Sequence, residues 1–239
     1  GMGRAYQNRK ESMAKTAATK TAVYSRYSRE IYMAAKGGGT DPSANLTLRS
    51  LIDRAKKDQV PSHVIDKALD KAGSGIGEDF QIARYEGFGP GGTMILVDCL
   101  TDNANRTIGE VRPAFTKGKG KFGTPGTVAH MFEHAAVFVF KGDEDAVLEC
   151  LLMADVDVLE VESDDELVTV MAPITEFAKA RTTLTGEYPE IDFEVDELQF
   201  VPKGETLIEG EDLEQFEKLL GLLNNCEDVQ NIYHDAKYG

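Results

Sequence analysis

The chain of 239 residues has no tryptophan, three cysteines and no apolar run close to the ~20 residues that cross a membrane. Cys99, Cys150 and Cys226 lie far apart without the spacing of metal ligands, so we expect reduced thiols and a cytoplasmic location. No stretch near the amino end has the pattern of a secretory signal, and we expect no contact with membranes. The hydrophobic share of 41% is typical of a globular protein with a buried core.

Positive charge is also scarce, and it is concentrated at one end of the chain. Residues 1–78 carry 14 Lys/Arg against 8 Asp/Glu, residues 79–133 carry 6 of each, and residues 134–239 carry 6 against 27. A nucleic acid would be attracted by the first segment and repelled by the last. We therefore expect separate roles for the two ends, with a merely solubilising acidic surface as the alternative.

Three amphipathic helices are predicted in the basic segment, after a polar amino-terminal arm. The first, of about 18 residues, ends near Lys36 at a run of glycines. Asp41 and Pro42 are predicted to open the second helix as its cap and first-turn proline. Pro61 is predicted to begin the third, which ends at Gly73. Such helices with short connections form a small bundle.

From Phe80 onward the pattern changes to alternating strands and helices, which predicts an α+β fold. The order strand-helix-strand-strand-helix is typical of ferredoxin-like units. Pro113 lies inside one helical pattern and is predicted to kink or shorten that helix. The predicted strands cover 80–85, 94–99, 128–132, 135–140, 156–161, 167–171, 198–202 and 229–233, and the predicted helices cover 105–117, 143–154, 174–184 and 213–223.

Two glycine runs, 87–92 and 118–123, have the letters of a dinucleotide-binding motif. That motif requires the glycines between a strand and the start of a helix. The first run lies between two strands and the second follows a helix, so we predict turns with positive φ and no cofactor. The second run is a candidate for a secondary contact with a nucleic-acid backbone, because it holds three cations, Lys117, Lys119 and Lys121.

His130 and His134 match the pattern H-x-x-E-H of some zinc proteases. On a helix they could share a metal, but on a strand they would lie about 13 Å apart. The surrounding sequence favours a strand. The acidic carboxyl-terminal half contains no calcium-loop pattern. We predict no catalytic residue, metal or cofactor, and a metal-dependent enzyme using the acidic cleft or this histidine pair is the less favoured alternative.

Four segments of the chain have distinctive motifs: Tyr85-Glu-Gly-x-Gly-Pro-x-Gly92, Leu100-Thr-Asp-Asn-Ala-Asn-Arg-Thr107, Arg29-Glu-Ile-Tyr-Met-Ala-Ala35 and Val60-Pro-x-x-Val-Ile-Asp-Lys-Ala68. Together these segments resemble the YebC-like family, most closely its YeeN-like branch. This family is described as probable transcriptional regulators, with relatives that act as translational activators. The resemblance implies a three-helix bundle followed by two ferredoxin-like α/β domains, the third inserted into the second. The expected domains are 1–78, 79–133 plus about 204–239, and 134–203.

We predict a non-enzymatic, nucleic-acid-binding regulator of gene expression. The resemblance implies a DNA-binding transcriptional regulator, and an RNA- or ribosome-binding translation factor is the alternative. The α/β domains are expected either to position the contacts or to recruit a protein partner at the acidic domains. The cations expected to contact phosphates are Arg4, Arg9, Lys10, Lys15, Lys20, Arg26, Arg29, Lys36, Arg49, Arg54, Lys56 and Lys57.

Overall fold

The computed structural model describes residues 19–75, 77 and 79–239, which form two compact units. One unit contains residues 19–129, Leu207–Ile232 and Tyr238–Gly239, and the other contains His130–Thr206 and Tyr233–Lys237. The predicted α+β class, with helices first and antiparallel sheets after them, is confirmed. The division into three domains stays a prediction. Within the described residues, no helix combines the length and apolar character that a bilayer span requires.

The amino-terminal helices are α1 (Lys20–Gly38), α2 (Leu46–Lys57) and α3 (Ser62–Gly73), close to the predicted bounds. Each has an apolar face at helical spacing, and these faces meet in one cluster. The fully or nearly fully buried members of this cluster are Ile31, Tyr32, Ala35, Leu48, Leu51, Ile52, Ala55, Val60, Ile65 and Ala68.

Helix α2 begins at a different residue from the one predicted. The Asn45 side chain accepts a hydrogen bond from the Leu48 N–H at 3.2 Å, as an N-cap does. Its amide group also donates to the carbonyls of Ala34 and Gly39, at 2.9 and 3.0 Å. Asn45 therefore caps α2 and ties it to the end of α1, and the predicted cap at Asp41 is wrong.

The remaining helices and strands alternate along the chain. The helices are α4 (Ala104–Lys117), α5 (Glu144–Met153), α6 (Phe177–Glu187) and α7 (Gly210–Asn224). The strands are β1 (Gln81–Phe88), β2 (Met94–Thr101), β3 (Lys121–Gly123), β4 (Phe132–Lys141), β5 (Glu160–Asp164), β6 (Leu167–Pro173), β7 (Val195–Pro202), β8 (Thr206–Ile208), β9 (Val229–His234) and β10 (Ala236–Tyr238).

The first sheet has the strand order β3-β1-β2-β9, with β1 antiparallel to both β2 and β3. Helix α4 lies against β1 and β2 and packs on α7. The chain leaves this sheet after β3 and returns to it with β9, after four strands of the other sheet. This sheet begins with the hairpin of β1 and β2, and helix α4 follows. The predicted ferredoxin-like order would instead place a helix between the first two strands. The strands β8 and β10 pair separately.

The second sheet has the order β5-β6-β4-β7, and all its pairs are antiparallel. With α5 and α6 it forms the predicted strand-helix-strand-strand-helix-strand unit, in the ferredoxin-like strand order. Alternate residues of β4 enter different clusters. Phe138 and Phe140 pack with α5 and α6, whereas Val137 and Val139 point to the opposite face.

One strand prediction fails, and one of the two effects predicted for Pro113 does not occur. The strand predicted over 128–132 is wrong, because Ala129–Met131 is a 3-10 turn and β4 begins only at Phe132. Helix α4 is not shortened at Pro113 but continues to Lys117. Burial of its apolar face, which includes the completely buried Phe115, offsets the lost hydrogen bond.

Candidate nucleic-acid interface

The motif at residues 100–107 surrounds a buried carboxylate, that of Asp228. Thr107 donates its hydroxyl to Asp228 at 2.8 Å, and Arg106 donates to both carboxylate oxygens, at 3.2 and 2.8 Å. Arg29 of α1 donates to the same carboxylate at 2.8 Å and to the Leu100 carbonyl at 2.9 Å. This one side chain, which is 0% exposed, therefore joins α1, α4 and the residues that precede β9.

The electrostatics of this cluster favour the ionised form of Asp228. Desolvation by itself would raise the pKa of Asp228, but hydrogen bonds from Arg106, Arg29 and Thr107 outweigh it and hold the pKa below its ordinary value. An uncompensated charge at this depth would be strongly destabilising. The motif thus has a structural role, which is to keep the helical region docked on the first sheet.

Two further charged residues of α1 face inward beside this cluster. Arg26 is only 9% exposed and donates to the Asn224 carbonyl, and burial lowers the pKa of this arginine. Burial also raises the pKa of Glu30, against the attraction of Arg54 and a hydrogen bond with Asn231. The expectation that Arg26 and Arg29 face solvent to contact phosphates is therefore wrong. Arg26 is buried, and the Arg29 guanidinium is bound to a carboxylate and a carbonyl of the protein.

The remaining predicted cations of the helical region stay at the surface to different degrees. Lys20, Lys36, Arg49, Lys56 and Lys57 are exposed, and Arg54 is half-buried. The Lys36 ammonium lies 3.2 Å from the Asp79 carboxylate. The other predicted cations, Arg4, Arg9, Lys10 and Lys15, lie outside the described residues.

Helix α2 presents the densest group of these cations, which we call the α2 basic face: Arg49, Lys56 and Lys57. Arg49 and Lys56 are seven residues apart and so lie on the same side of the helix, with Lys57 adjacent. Arg49 is paired with Asp53 at 3.6 Å, and both side chains are about half exposed. Such a pair is weak and can be exchanged for a phosphate. A structural role is the alternative to phosphate binding, because cations in the last turn stabilise the carboxyl terminus of a helix.

The second glycine run forms the end of α4 and strand β3, with Lys117, Lys119 and Lys121 exposed. Its glycines are required by close packing. A Cβ atom at Gly118 would lie 2.5 Å from the Leu219 side chain, and one at Gly120 would lie 2.5 Å from the Phe88 carbonyl oxygen. The predicted positive φ in this run belongs to Lys119 instead, at 64°. In the first run, positive φ is confirmed at Gly91 and Gly92.

Glu86 of the first motif organises the loop that follows β3. Its carboxylate accepts hydrogen bonds from the N–H groups of Gly126, Val128 and Ala129, at 2.6, 2.9 and 2.7 Å. Desolvation would raise the pKa of Glu86, but these three donors outweigh it and lower the pKa. Three amides that point at one carboxylate cannot also pair in a sheet, which explains the missing strand at 128–132. No local sequence signal identified this role.

Two of the cysteines are buried free thiols, and the two histidines of the H-x-x-E-H pattern lie on different elements. Burial raises the pKa of Cys99 to about 12 and that of Cys226 to about 11, so both thiols are protonated at neutral pH. His130 lies in the 3-10 turn, while His134 lies on β4 with its ring stacked 4.1 Å from that of Phe200. Within the part of the chain that the structure describes, no three His, Cys, Asp or Glu side chains converge as metal ligands.

The whole chain is similar to a set of proteins described as regulators. The family model of the TACO1/YebC protein N-terminal domain matches residues 4–75, and that of the TACO1/YebC second and third domain matches residues 80–236. A probable transcriptional regulatory protein of Marinobacter nauticus is 65% identical over 99% of this chain and 98% of its own length. Another, of Alcanivorax borkumensis, is 63% identical over the full length of both chains.

A solved structure has the same fold. The crystal structure of a conserved hypothetical protein from Aquifex aeolicus is 30% identical in sequence and superimposes with a TM-score of 0.77. The match covers 95% of this chain and 93% of that chain. The similarity therefore extends through the helical region and both sheets.

Proposed function

The chain belongs to the TACO1/YebC family, and on that basis we propose that it regulates transcription by binding duplex DNA through exposed cations of its helical region. The family and the relatives described as probable transcriptional regulatory proteins support a regulatory role. The observation that carries the mode of binding is the α2 basic face, which stays exposed when Arg26 and Arg29 are turned inward.

The physical basis of the binding is counterion release. Each Lys or Arg that meets a phosphate displaces a condensed cation from the DNA, so affinity grows with the number of such contacts. Lys20 and Lys36 add to the α2 basic face, and Lys117, Lys119 and Lys121 supply a secondary contact. The acidic segment 134–239 repels phosphate and leaves the helical region as the contacting part.

The mechanism is non-enzymatic. The motif residues with converging polar groups, such as Arg106 and Thr107, bind Asp228 and thereby hold the fold together. Docking through Arg29 fixes α1 on the first sheet, so the neighbouring helices present their cations on a rigid support. A rigid support lowers the ordering entropy that binding would otherwise cost.

A charge-reversal experiment tests this proposal. The variant carries Arg49→Glu, Lys56→Glu and Lys57→Glu, and the matched control carries Lys141→Glu, Lys203→Glu and Lys218→Glu, which changes the net charge equally. All six side chains are exposed. We expect the first variant to bind a labelled DNA duplex at least about tenfold more weakly than the control. Equal affinities would show that charge alone, and not this face, governs binding.

Structured RNA is the second candidate ligand, and the translational role would follow from it. The observation that favours RNA is the aromatic ring of Phe122, which lies beside the cation Arg112 in a groove that Lys121 also lines. Unpaired RNA bases stack on such rings, whereas bases within a DNA duplex are inaccessible to them. The same two variants are also titrated with a structured RNA of the same length as the DNA duplex. Comparison of the two ligands at one salt concentration distinguishes the candidates, because the preferred ligand binds more tightly.

A further inference from the structure

A groove with a volume of about 650 Å³ lies between the edge of the first sheet and helix α4. Strands β1 and β3 form one wall, α4 forms the other, and the loop that contains Thr124 and Pro125 closes one end. This loop is the one fixed by Glu86, whose carboxylate holds the N–H groups of Gly126, Val128 and Ala129. The two strands, the helix and the loop therefore bound the groove with hydrogen-bonded backbone.

The base of the groove carries a firmly held aromatic ring. Phe122 packs edge-on against the buried Phe115, with ring centroids 5.8 Å apart, and lies 5.9 Å from the ring of Tyr85. Phe122 stands opposite Gly87 in the β1–β3 pairing. A Cβ atom at Gly87 would come within 2.6 Å of Phe115, so the glycine makes room for this aromatic packing. Phe122 itself is half-buried and keeps part of its surface open to the groove.

The cation Arg112 lies against this ring, and Lys121 also lines the groove. The guanidinium carbon of Arg112 lies 5.1 Å from the centroid of Phe122, and the exposed Lys121 precedes Phe122 on β3. Neither Arg112 nor Lys121 forms an ion pair within the described residues. Among the described residues that line the groove, the carboxylate is that of Glu86, and three backbone donors already surround it. The groove thus combines an aromatic surface with uncompensated positive charge.

We infer that this groove binds one unpaired nucleotide of a single-stranded nucleic acid. The base stacks on the Arg112–Phe122 pair, and the adjoining phosphate meets Arg112 and Lys121. Every base has a π face, and aromatic and guanidinium planes both accept stacked bases, so this chemistry tolerates any sequence. The inference rests on the proposed nucleic-acid binding, and specifically on its RNA candidate, and adds to it a site for an unpaired nucleotide, remote in sequence from the α2 basic face.

The charge pattern favours a nucleotide over a peptide. An acidic peptide would neutralise Arg112 and Lys121 but would offer no planar group for the ring of Phe122. An apolar peptide would cover the ring but leave both cations desolvated without partners, which is unfavourable. A nucleotide supplies both the planar group and the anion within one residue.

Two variants and one matched control test the inference in the full chain. Phe122→Leu removes the ring and keeps apolar volume. Arg112→Gln combined with Lys121→Gln removes two exposed charges at the groove, and Lys203→Gln combined with Lys218→Gln removes two exposed charges elsewhere. The probes are a fluorescent ten-residue oligouridylate, an abasic strand of the same length and a duplex of the same length. Thermal unfolding measurements check that Phe122→Leu is folded. The variant with Arg112→Gln and Lys121→Gln changes only exposed side chains, so it tests the site independently of core packing.

We expect both groove variants to bind the oligouridylate about tenfold more weakly than the control pair does. We also expect the abasic strand to bind wild type about tenfold more weakly than the oligouridylate does, because it lacks the stacking base. Unchanged oligouridylate binding in both groove variants overturns the inference, as does equal binding of the abasic strand. If the groove variants lose binding only to a labelled deca-glutamate peptide, the groove binds an acidic peptide, and this result also overturns the inference.

The failure of this inference is distinguishable from that of the proposed function. If the groove variants bind every probe like wild type while reversal of the α2 basic face abolishes duplex binding, only the groove assignment fails. If wild-type protein binds neither the single strands nor the duplex, both proposals fail together.

Discussion

Arg29 donates a hydrogen bond to Asp228 at 2.8 Å across 199 residues of the chain. The contact fixes the first helix on the first sheet, and it draws a positive charge away from the surface where the sequence pattern had placed it. Arg106 approaches the same carboxylate at 2.8 Å from the other side. One buried anion thus pairs with two arginines, and the stability of the helical region on the sheet depends on it.

Replacing Asp228 by Asn is expected to lower the free energy of unfolding by about 3–5 kcal/mol, because it leaves Arg29 and Arg106 without their buried counterion. Denaturation by urea, followed by circular dichroism, measures this change. Glu227→Gln is the matched control, since Glu227 also pairs with Arg29, at 3.1 Å, but is 69% exposed. We expect the control to change the free energy by at most about 1 kcal/mol. Similar values for the two variants would contradict the role given to Asp228.

The pH dependence of the same pair has a defined sign. Because the pKa of Asp228 is lowered in the folded state, its contribution is present above the unfolded value of ~3.9 and is lost as the pH falls through the folded pKa. The difference in unfolding free energy between wild type and Asp228→Asn should therefore shrink below about pH 4. Urea denaturation at pH 3 and pH 6 measures it, and a difference that stays constant would argue against an ionised Asp228.

Glu30 is expected to have the opposite pH dependence. Burial raises the pKa of Glu30, so the folded protein binds this proton more tightly than the unfolded chain does. Relative to Glu30→Gln, wild type should lose stability as the pH rises from ~4.3 through the folded pKa and then remain level. Urea denaturation of the two proteins between pH 4 and pH 8 gives this difference. A relative stability that rises with pH would mean that the attraction of Arg54 and Arg26 exceeds the effect of burial.

Glu86→Gln is expected to loosen the loop that closes the groove. A glutamine retains one acceptor oxygen but places an NH₂ group against one of the N–H donors, so at least one of the three hydrogen bonds is lost. We expect a loss of about 1–3 kcal/mol in unfolding free energy, together with faster amide exchange at Gly126, Val128 or Ala129.

Hydrogen exchange and urea denaturation test the Glu86 variant together. Glu110→Gln, at an exposed position of α4, is its control and should change the unfolding free energy by less than about 0.5 kcal/mol. Unchanged exchange at all three amides would show that another contact fixes the loop.

The helices and long strands were predictable because their information is local. Helix α1 and strand β2 differ from their predicted bounds by about two residues, since apolar periodicity marks both. Strand β3 has three residues, of which one is glycine, and local sequence gives no signal for it. Its place in the sheet depends on its pairing with β1, which is specified by the packing around Gly87.

The candidate site was predictable in composition but not in orientation. The helical periodicity of α1 places Arg26 and Arg29 opposite its apolar face, which would be solvent if the bundle stood alone. That side lies against the first sheet, and the partners Asn224 and Asp228 are about 200 residues away in sequence. Arg112 was not predicted as a site residue, because the ring of Phe122 that lies beside it belongs to a separate strand.

The salt dependence of duplex DNA binding tests the central claim most directly. The affinity is measured across a salt series for wild type, for Arg49→Gln with Lys56→Gln and Lys57→Gln, and for the control Lys141→Gln with Lys203→Gln and Lys218→Gln. If three phosphate contacts are lost, the slope of log affinity against log salt concentration becomes shallower by about 2.7 for the first variant and stays at the wild-type value for the control. Identical slopes for all three proteins would contradict the assignment of phosphate binding to the α2 basic face.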